Sequence, residues 1–174
     1  MINDIQVRRG CIPLFETDPP QLWLAEWSNQ LFVKLSAGGL VGWGEVLPAA
    51  ANTREPYVAL IERFAEGLRG EDEKEIEKLW QTMRRMSFIG GYGVTTGAIS
   101  GIDIALWDIS GKKANQPVSK LVASKQSVIP KLPRYISLSR YADSEKLCKA
   151  VDNLIEKGYR SIKIHQSGKT PLMG

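Results

Sequence analysis

QLFVKLSAGGLVGWGEV, residues Gln30–Val46, decides the fold class. Leu31, Val33 and Leu35 alternate with Phe32, Lys34 and Ser36, the period of a half-buried strand. Gly38-Gly39 interrupts that run, and Val41-Gly42-Trp43-Gly44-Glu45-Val46 follows. Two strands joined through paired glycines form a β-hairpin, because glycine takes positive φ at both turn positions without steric cost. Upstream, Ile2 to Leu14 reads as a further strand, so the chain opens on an antiparallel meander. Between strand and hairpin, Glu16-Thr17-Asp18-Pro19-Pro20 is a loop that two prolines keep out of regular structure.

Past the hairpin the period changes to that of a helix. Thr53 is placed to cap a helix with Pro56 in its first turn, Val58, Ile61, Ala65 and Leu68 at helical spacing, and Gly70 as its stop. A second helix is expected from Asp72 to Met86, with Ile76, Leu79, Trp80 and Met83 on one face. Gly90-Gly91-Tyr92-Gly93 is a connector; it follows a helix, not a strand, and so is no dinucleotide fingerprint. The clearest helix runs from Thr96 to Lys112 with Ile99, Ile102, Leu106 and Ile109 as its stripe, and Asn115 and Pro117 end it. Asp103 and Asp108 on this helix read as polar anchors against neighbouring elements. Glu45 reads as a local cap or ion-pair partner.

Arg134–Leu138 is then a short strand, Ser144 caps a helix carrying Leu147, Ala150, Val151, Leu154 and Ile155 on one face, and Gly158 closes it. Ser161–His165 is another strand. Strand, helix and strand with short links make a parallel βαβ unit. One such unit leaves strand faces and edges uncovered, so it requires further strands or a partner.

Composition narrows the function classes. The 174 residues carry 43% apolar and 24% charged side chains, the balance of a soluble globular protein. Lysine and arginine exceed acidic residues by 23 to 19, a net charge of +4 without any basic run. That excludes a nucleic-acid arm and is compatible with an anionic substrate. Cys11 and Cys148 form no paired motif, and we expect two free, buried thiols in a reducing cytoplasm. The opening MINDIQVRRG lacks the apolar core of a secretory signal, and no stretch approaches a membrane span.

On the last strand, alternation sends Ile162 and Ile164 to one face and Lys163 and His165 to the other. If the strand belongs to a barrel, the second face points inward at the end where barrel enzymes keep their catalytic groups. Lys163 or His165 could then act as an acid or base near neutral pH. A solvated edge strand with polar residues facing water is the alternative reading of the same pattern. Ser167-Gly168-Lys169-Thr170 lacks the earlier glycine of a phosphate-binding loop, since that position is Lys163.

Several of these stretches together resemble the mandelate racemase and muconate-lactonizing branch of the enolase superfamily. Val41-Gly42-Trp43-Gly44-Glu45 is similar to the G-x-G-E strand of that family's capping domain. Ser100-Gly101-Ile102-Asp103-Ile104-Ala105-Leu106-Trp107-Asp108-Ile109 is similar to its sGiDxAlwDi helix, which packs next to the barrel. Pro117-Val118 with Leu121, Arg134–Ser137, and Lys163-Ile164-His165 fall where the family carries PVxxLL, the first barrel strand and a Lys-x-Lys motif. The resemblance implies an α+β capping domain over residues 1–125, then the first strands of a TIM-type β/α barrel over residues 126–174, which is incomplete because a whole barrel takes roughly 250 residues.

It further implies a magnesium ion and removal of a proton alpha to a carboxylate. Lys163 would face the substrate carboxylate and His165 would be the acid or base, with histidine standing where the family has its second lysine. The metal carboxylates have no counterpart in this chain. We therefore expect the front part of a cytoplasmic enzyme acting on a small carboxylate, an acid-sugar dehydratase or hydroxy-acid racemase, with a muconate-type cycloisomerase as the second enzyme reading. The segment alone is expected to be inactive. Further copies of the chain are the expected macromolecular partner. A short non-catalytic binding or oligomerisation module is the reading from a different class. Substrate-selecting loops are expected at Phe15–Trp27 and Leu47–Pro56.

Overall fold

The computed structural model describes residues 1–11, 28–48, 54–87, 92–123, 132–138, 141 and 143–164. The double-proline loop, the Thr53 cap, Gly90 and Gly91 of the connector, the Phe15–Trp27 loop, His165 and Ser167–Thr170 lie outside them, as do residues 49–53 of the Leu47–Pro56 loop.

Strands β1 (Ile2–Cys11), β2 (Asn29–Ala37) and β3 (Leu40–Val46) form an antiparallel sheet in that order. Ile5 pairs with Leu35 and Val7 with Val33; on the other side Leu35 meets Gly42 and Val33 meets Gly44. Gly38 and Gly39 hold φ of 57° and 78°, the positive pair that a two-residue hairpin turn requires. Leu31, Val33, Leu35 and Ala37 are fully buried on the face that receives the helices.

Helix α1 (Arg54–Leu68) buries Val58, Ile61, Phe64, Ala65 and Leu68, and Gly70 at φ 84° ends it. Its exit is tied to the start of β1: Gly70 N–H donates to Ile2 O at 2.9 Å and Ile2 N–H to Glu71 O at 2.8 Å. Helix α2 (Ile76–Met86) starts a turn later than the sequence suggests. Asp72 Oδ1 accepts from Lys74 N–H and Asp72 O from Glu75 N–H, so a local turn occupies those residues. Leu79 and Met83 are buried as expected, but Trp80 is 40% exposed. Its place is off the buried stripe, with the Arg84 guanidinium 5.8 Å from its ring.

Helix α3 (Val94–Ala114) extends the expected helix at both ends. Asn115 closes it in the left-handed conformation, φ 50°, and Gln116 N–H returns to Gly111 O at 3.0 Å. The five-residue helix α4 (Val118–Val122) follows extended Pro117, which ends one helix and opens the next. The α3 stripe of Ile99, Ile102, Leu106 and Ile109 is buried in a single core with the sheet and α1. The architecture is α+β, a meander covered by helices.

A second compact unit holds β4 (Ile136–Ser137), α5 (Ser144–Glu156) and β5 (Ile162–Lys163). The strands pair in parallel, Ile136 with Ile162 and Ser137 with Lys163, giving the expected βαβ order. The cap of α5 is Asp143, not Ser144: its carboxylate accepts from Glu145 N–H at 2.7 Å and Lys146 N–H at 3.3 Å. Gly158 at φ 87° closes the helix. Among the described residues no helix is long and apolar enough to cross a membrane.

Candidate active site at the ends of the parallel strands

Paired residues on neighbouring parallel strands present their side chains to the same face. Ile136 and Ile162 therefore share one face of the βαβ unit, and Ser137 and Lys163 share the other. The register is fixed by Ile136 N–H donating to Ser161 O and Leu138 N–H to Lys163 O, both at 3.0 Å. Lys163 is exposed, and no ion pair from a described residue holds its ammonium group. An exposed ammonium beside a serine hydroxyl can receive a carboxylate through one charged and one neutral hydrogen bond. Ser137 escapes sequence reasoning because its significance lies in the partner strand; its polar place in RYISL was the available signal.

Of the other sequence candidates, Asp108 serves the fold, while among the described residues neither Asp103 nor Glu45 has the hydrogen-bond or ion-pair partner expected of it. Asp108 Oδ2 accepts from Trp43 N–H at 2.8 Å and from Lys112 Nζ at 2.6 Å, while Lys112 also donates to Val41 O at 2.7 Å. Together they cover the open edge of β3, the anchoring role expected of Asp108. Asp103 is half-buried and faces α2; burial, with the Glu77 charge beside it, raises its carboxyl above the ordinary value. Glu45 is exposed on the outer face of the sheet. Both cysteines are exposed, correcting the expectation of buried thiols, and Cys11 Sγ lies 3.6 Å from Ser28 Oγ.

One ion cluster had no sequence signature. Glu73 is 3% exposed and pairs with the Lys113 ammonium and the Met1 amino group. The Lys113 bond, then that of the amino terminus, lowers its carboxyl to about 2. It joins the turn before α2 and the end of α3 to the start of β1. Among the described residues no group of three or more His, Cys, Asp or Glu gathers as a metal site, so they do not fit a magnesium ion.

The profile described as Mandelate racemase / muconate lactonizing enzyme, N-terminal domain, matches residues 15–123. A D-galactonate dehydratase of Variovorax paradoxus (strain S110) is 36% identical over 137 residues, 78% of this chain and 34% of that protein. A racemase from Streptomyces coelicolor A3(2), solved with bound magnesium, superposes at TM-score 0.80 and 25% identity over 99% of this chain and 48% of its own. The 3,6-anhydro-D-galactonate cycloisomerase from Zobellia galactanivorans does so at 0.73 and 30%, over 94% and 42%. The chain thus spans half or less of the length of each of these relatives.

Proposed function

Since the chain belongs to the mandelate racemase / muconate lactonizing enzyme family, we propose that it is the N-terminal part of an enzyme that removes a proton alpha to a carboxylate, as an acid-sugar dehydratase or a hydroxy-acid racemase. The observation that carries this is the parallel register of Ser137 and Lys163, in a chain with 36% identity to a D-galactonate dehydratase. Lys163 binds the substrate carboxylate and stabilises the charge that grows on it as the proton leaves. Ser137 shares that contact. His165, two residues beyond Lys163, is the acid or base. In dehydration the α-proton and the β-hydroxyl leave as water and the enol becomes a 2-keto acid; in racemisation the proton returns to the opposite face.

Magnesium belongs to the proposal for the whole enzyme, on the strength of the magnesium-bound racemase neighbour. The described residues form no site for it, so the roles above rest on side chains alone. A cycloisomerase is the second reading, favoured by 30% identity to the anhydro-galactonate enzyme.

The test is the whole enzyme incubated with sugar acids and 2-hydroxy acids in D₂O, read by mass spectrometry and NMR. Loss of one water identifies a dehydratase. An inverted centre with no loss of water and deuterium gained at the α-carbon identifies a racemase, and a ring opened or closed with no loss of water and deuterium gained at carbon a cycloisomerase. His165→Asn should lower kcat by about 10²–10⁴-fold with the fold intact. Wild-type turnover in that variant from about pH 6 to pH 9, where a histidine base titrates, would refute the role of His165.

A further inference from the structure

The antiparallel order brings three strand ends to one end of the sheet. β1 finishes there at Cys11, β2 starts there at Asn29 opposite it, and β3 finishes there at Val46, opposite Leu31. The Gly38-Gly39 turn lies at the other end. Residues 12–28 join β1 to β2, a connection far longer than the about two to five residues that join most hairpin strands. Connections of that length in compact domains are retained for function. Residues 47–53 leave the same end of the sheet for α1. These are the two stretches in which substrate-selecting loops are expected.

Side chains on the stems tie the two connections together. Arg9 Nη2 donates to both oxygens of Glu55, at 3.1 and 2.9 Å, and Arg54 Nη1 donates to Asn29 Oδ1 at 3.2 Å. Arg54 and Glu55 are neighbours in the first turn of α1, yet one reaches β2 and the other β1. The start of α1 is therefore fastened to both stems of residues 12–28. Stability does not account for this arrangement. Both members of the Arg9–Glu55 pair are more than half exposed, and a pair so solvated adds little to the fold. Arg54 places a cation at a helix N-terminus, where the helix dipole disfavours it. Helix α1 is held by its buried face instead, from Val58 to Leu68. What the two contacts do fix is the position of one stem relative to another.

We propose that Arg9, Asn29, Arg54 and Glu55 are positioning residues for substrate discrimination. They hold the stems of residues 12–28 and 47–53 as one piece, so that the whole enzyme distinguishes acids by the groups beyond the reacting carbon through both connections together. The inference rests on the proposed α-proton chemistry for its kinetic consequence alone, since the tie itself has a readout that needs no turnover.

The first experiment reads the tie without activity: hydrogen exchange of the full chain, followed by mass spectrometry of peptides covering residues 12–28 and 47–53. Glu55→Arg sets a like charge against Arg9 and should raise exchange severalfold in both peptides together, while peptides from Val58–Leu68 stay at the wild-type rate. The double variant Arg9→Glu/Glu55→Arg restores opposite charges and should return both peptides toward wild type. It keeps the helix-dipole penalty of the single variant, so its recovery isolates the tie. The second experiment reads discrimination in the whole enzyme, with D-galactonate as the long acid and lactate as the short one. Glu55→Arg should raise KM more than it lowers kcat, and severalfold more for D-galactonate than for lactate, with the double variant restoring the ratio. Exchange that changes in one connection only, a double variant no closer to wild type than the single one, or an equal loss for both acids would each overturn the proposal. A wild-type enzyme inert toward every acid tried would sink the α-proton reading, whereas the tie stands or falls on the exchange data.

Discussion

Glu73 shows what a single side chain can contribute without announcing itself in sequence. It sits in a polar turn before α2, where an acidic residue is ordinarily solvated, yet it is buried between two cations brought from the start of β1 and the end of α3. Its folded carboxyl titrates at about 2 against an ordinary 4.5. A lowered folded value stabilises the protein above the unfolded value, so this contribution is complete above about pH 4.5 and is lost as pH falls toward about 2. Glu73→Gln should therefore destabilise the chain by about 1–3 kcal/mol near neutral pH. Urea midpoints of variant and wild type should converge as pH falls through that window; a gap that stays constant would remove the ion cluster as the cause. Ser137 is the corresponding case at the candidate site. Ser137→Ala in the whole enzyme should raise KM severalfold, as loss of one neutral hydrogen bond of about 0.5–1.5 kcal/mol implies. Lys163 was legible because a charged residue on an alternating strand marks itself, whereas Ser137 needs the register of a second strand to be seen.

Among elements, the glycines of β3 explain why hairpin and helix occur together. A β-carbon on Gly42 would stand 2.1 Å from Ala105 O, and one on Gly44 would stand 1.9 Å from Gly101 O. A β-carbon on Gly101 in turn would meet Val46 Cγ2 at 2.5 Å. Strand and helix backbones touch, and the small residues on both sides are what the contact consists of. Gly44→Ala must therefore push α3 off the sheet and should cost about 3 kcal/mol or more. Gly39→Ala meets nothing within 4 Å and is penalised only for its φ of 78°, about 1 kcal/mol. Thermal or urea unfolding of the two variants should rank them in that order; equal losses would mean that the helix yields freely. The hairpin and α3 were legible because each follows one period over many residues. The start of α2 was not, since the Asp72 side chain competes for backbone donors that a helix would leave open. Helix α4 is too short for any period to register, and Asp143 beside Ser144 offers two capping residues between which only geometry chooses.

At the scale of the molecule, the two units differ in how much of themselves they bury. Helix α3 has nine buried residues, while α5 has none, although Leu147, Val151 and Leu154 share the face that sequence assigned to a core. The helix and the spacing of its apolar residues were legible, but what covers them was not, because one βαβ unit offers that face only two strands of two paired residues each. Opening α5 therefore exposes little surface that is not already exposed, so its amides are held by local hydrogen bonds alone. Opening α3 requires the sheet, α1 and the buried stripe to part together. Hydrogen exchange of the chain should accordingly protect α3 amides at least about a hundredfold more than α5 amides, with Ile136 and Leu138 close to α5 in rate. Equal protection in α3 and α5 would show that the second unit has found cover for its apolar faces, and the placement of Lys163 on an open strand face would have to be drawn again with that cover in place.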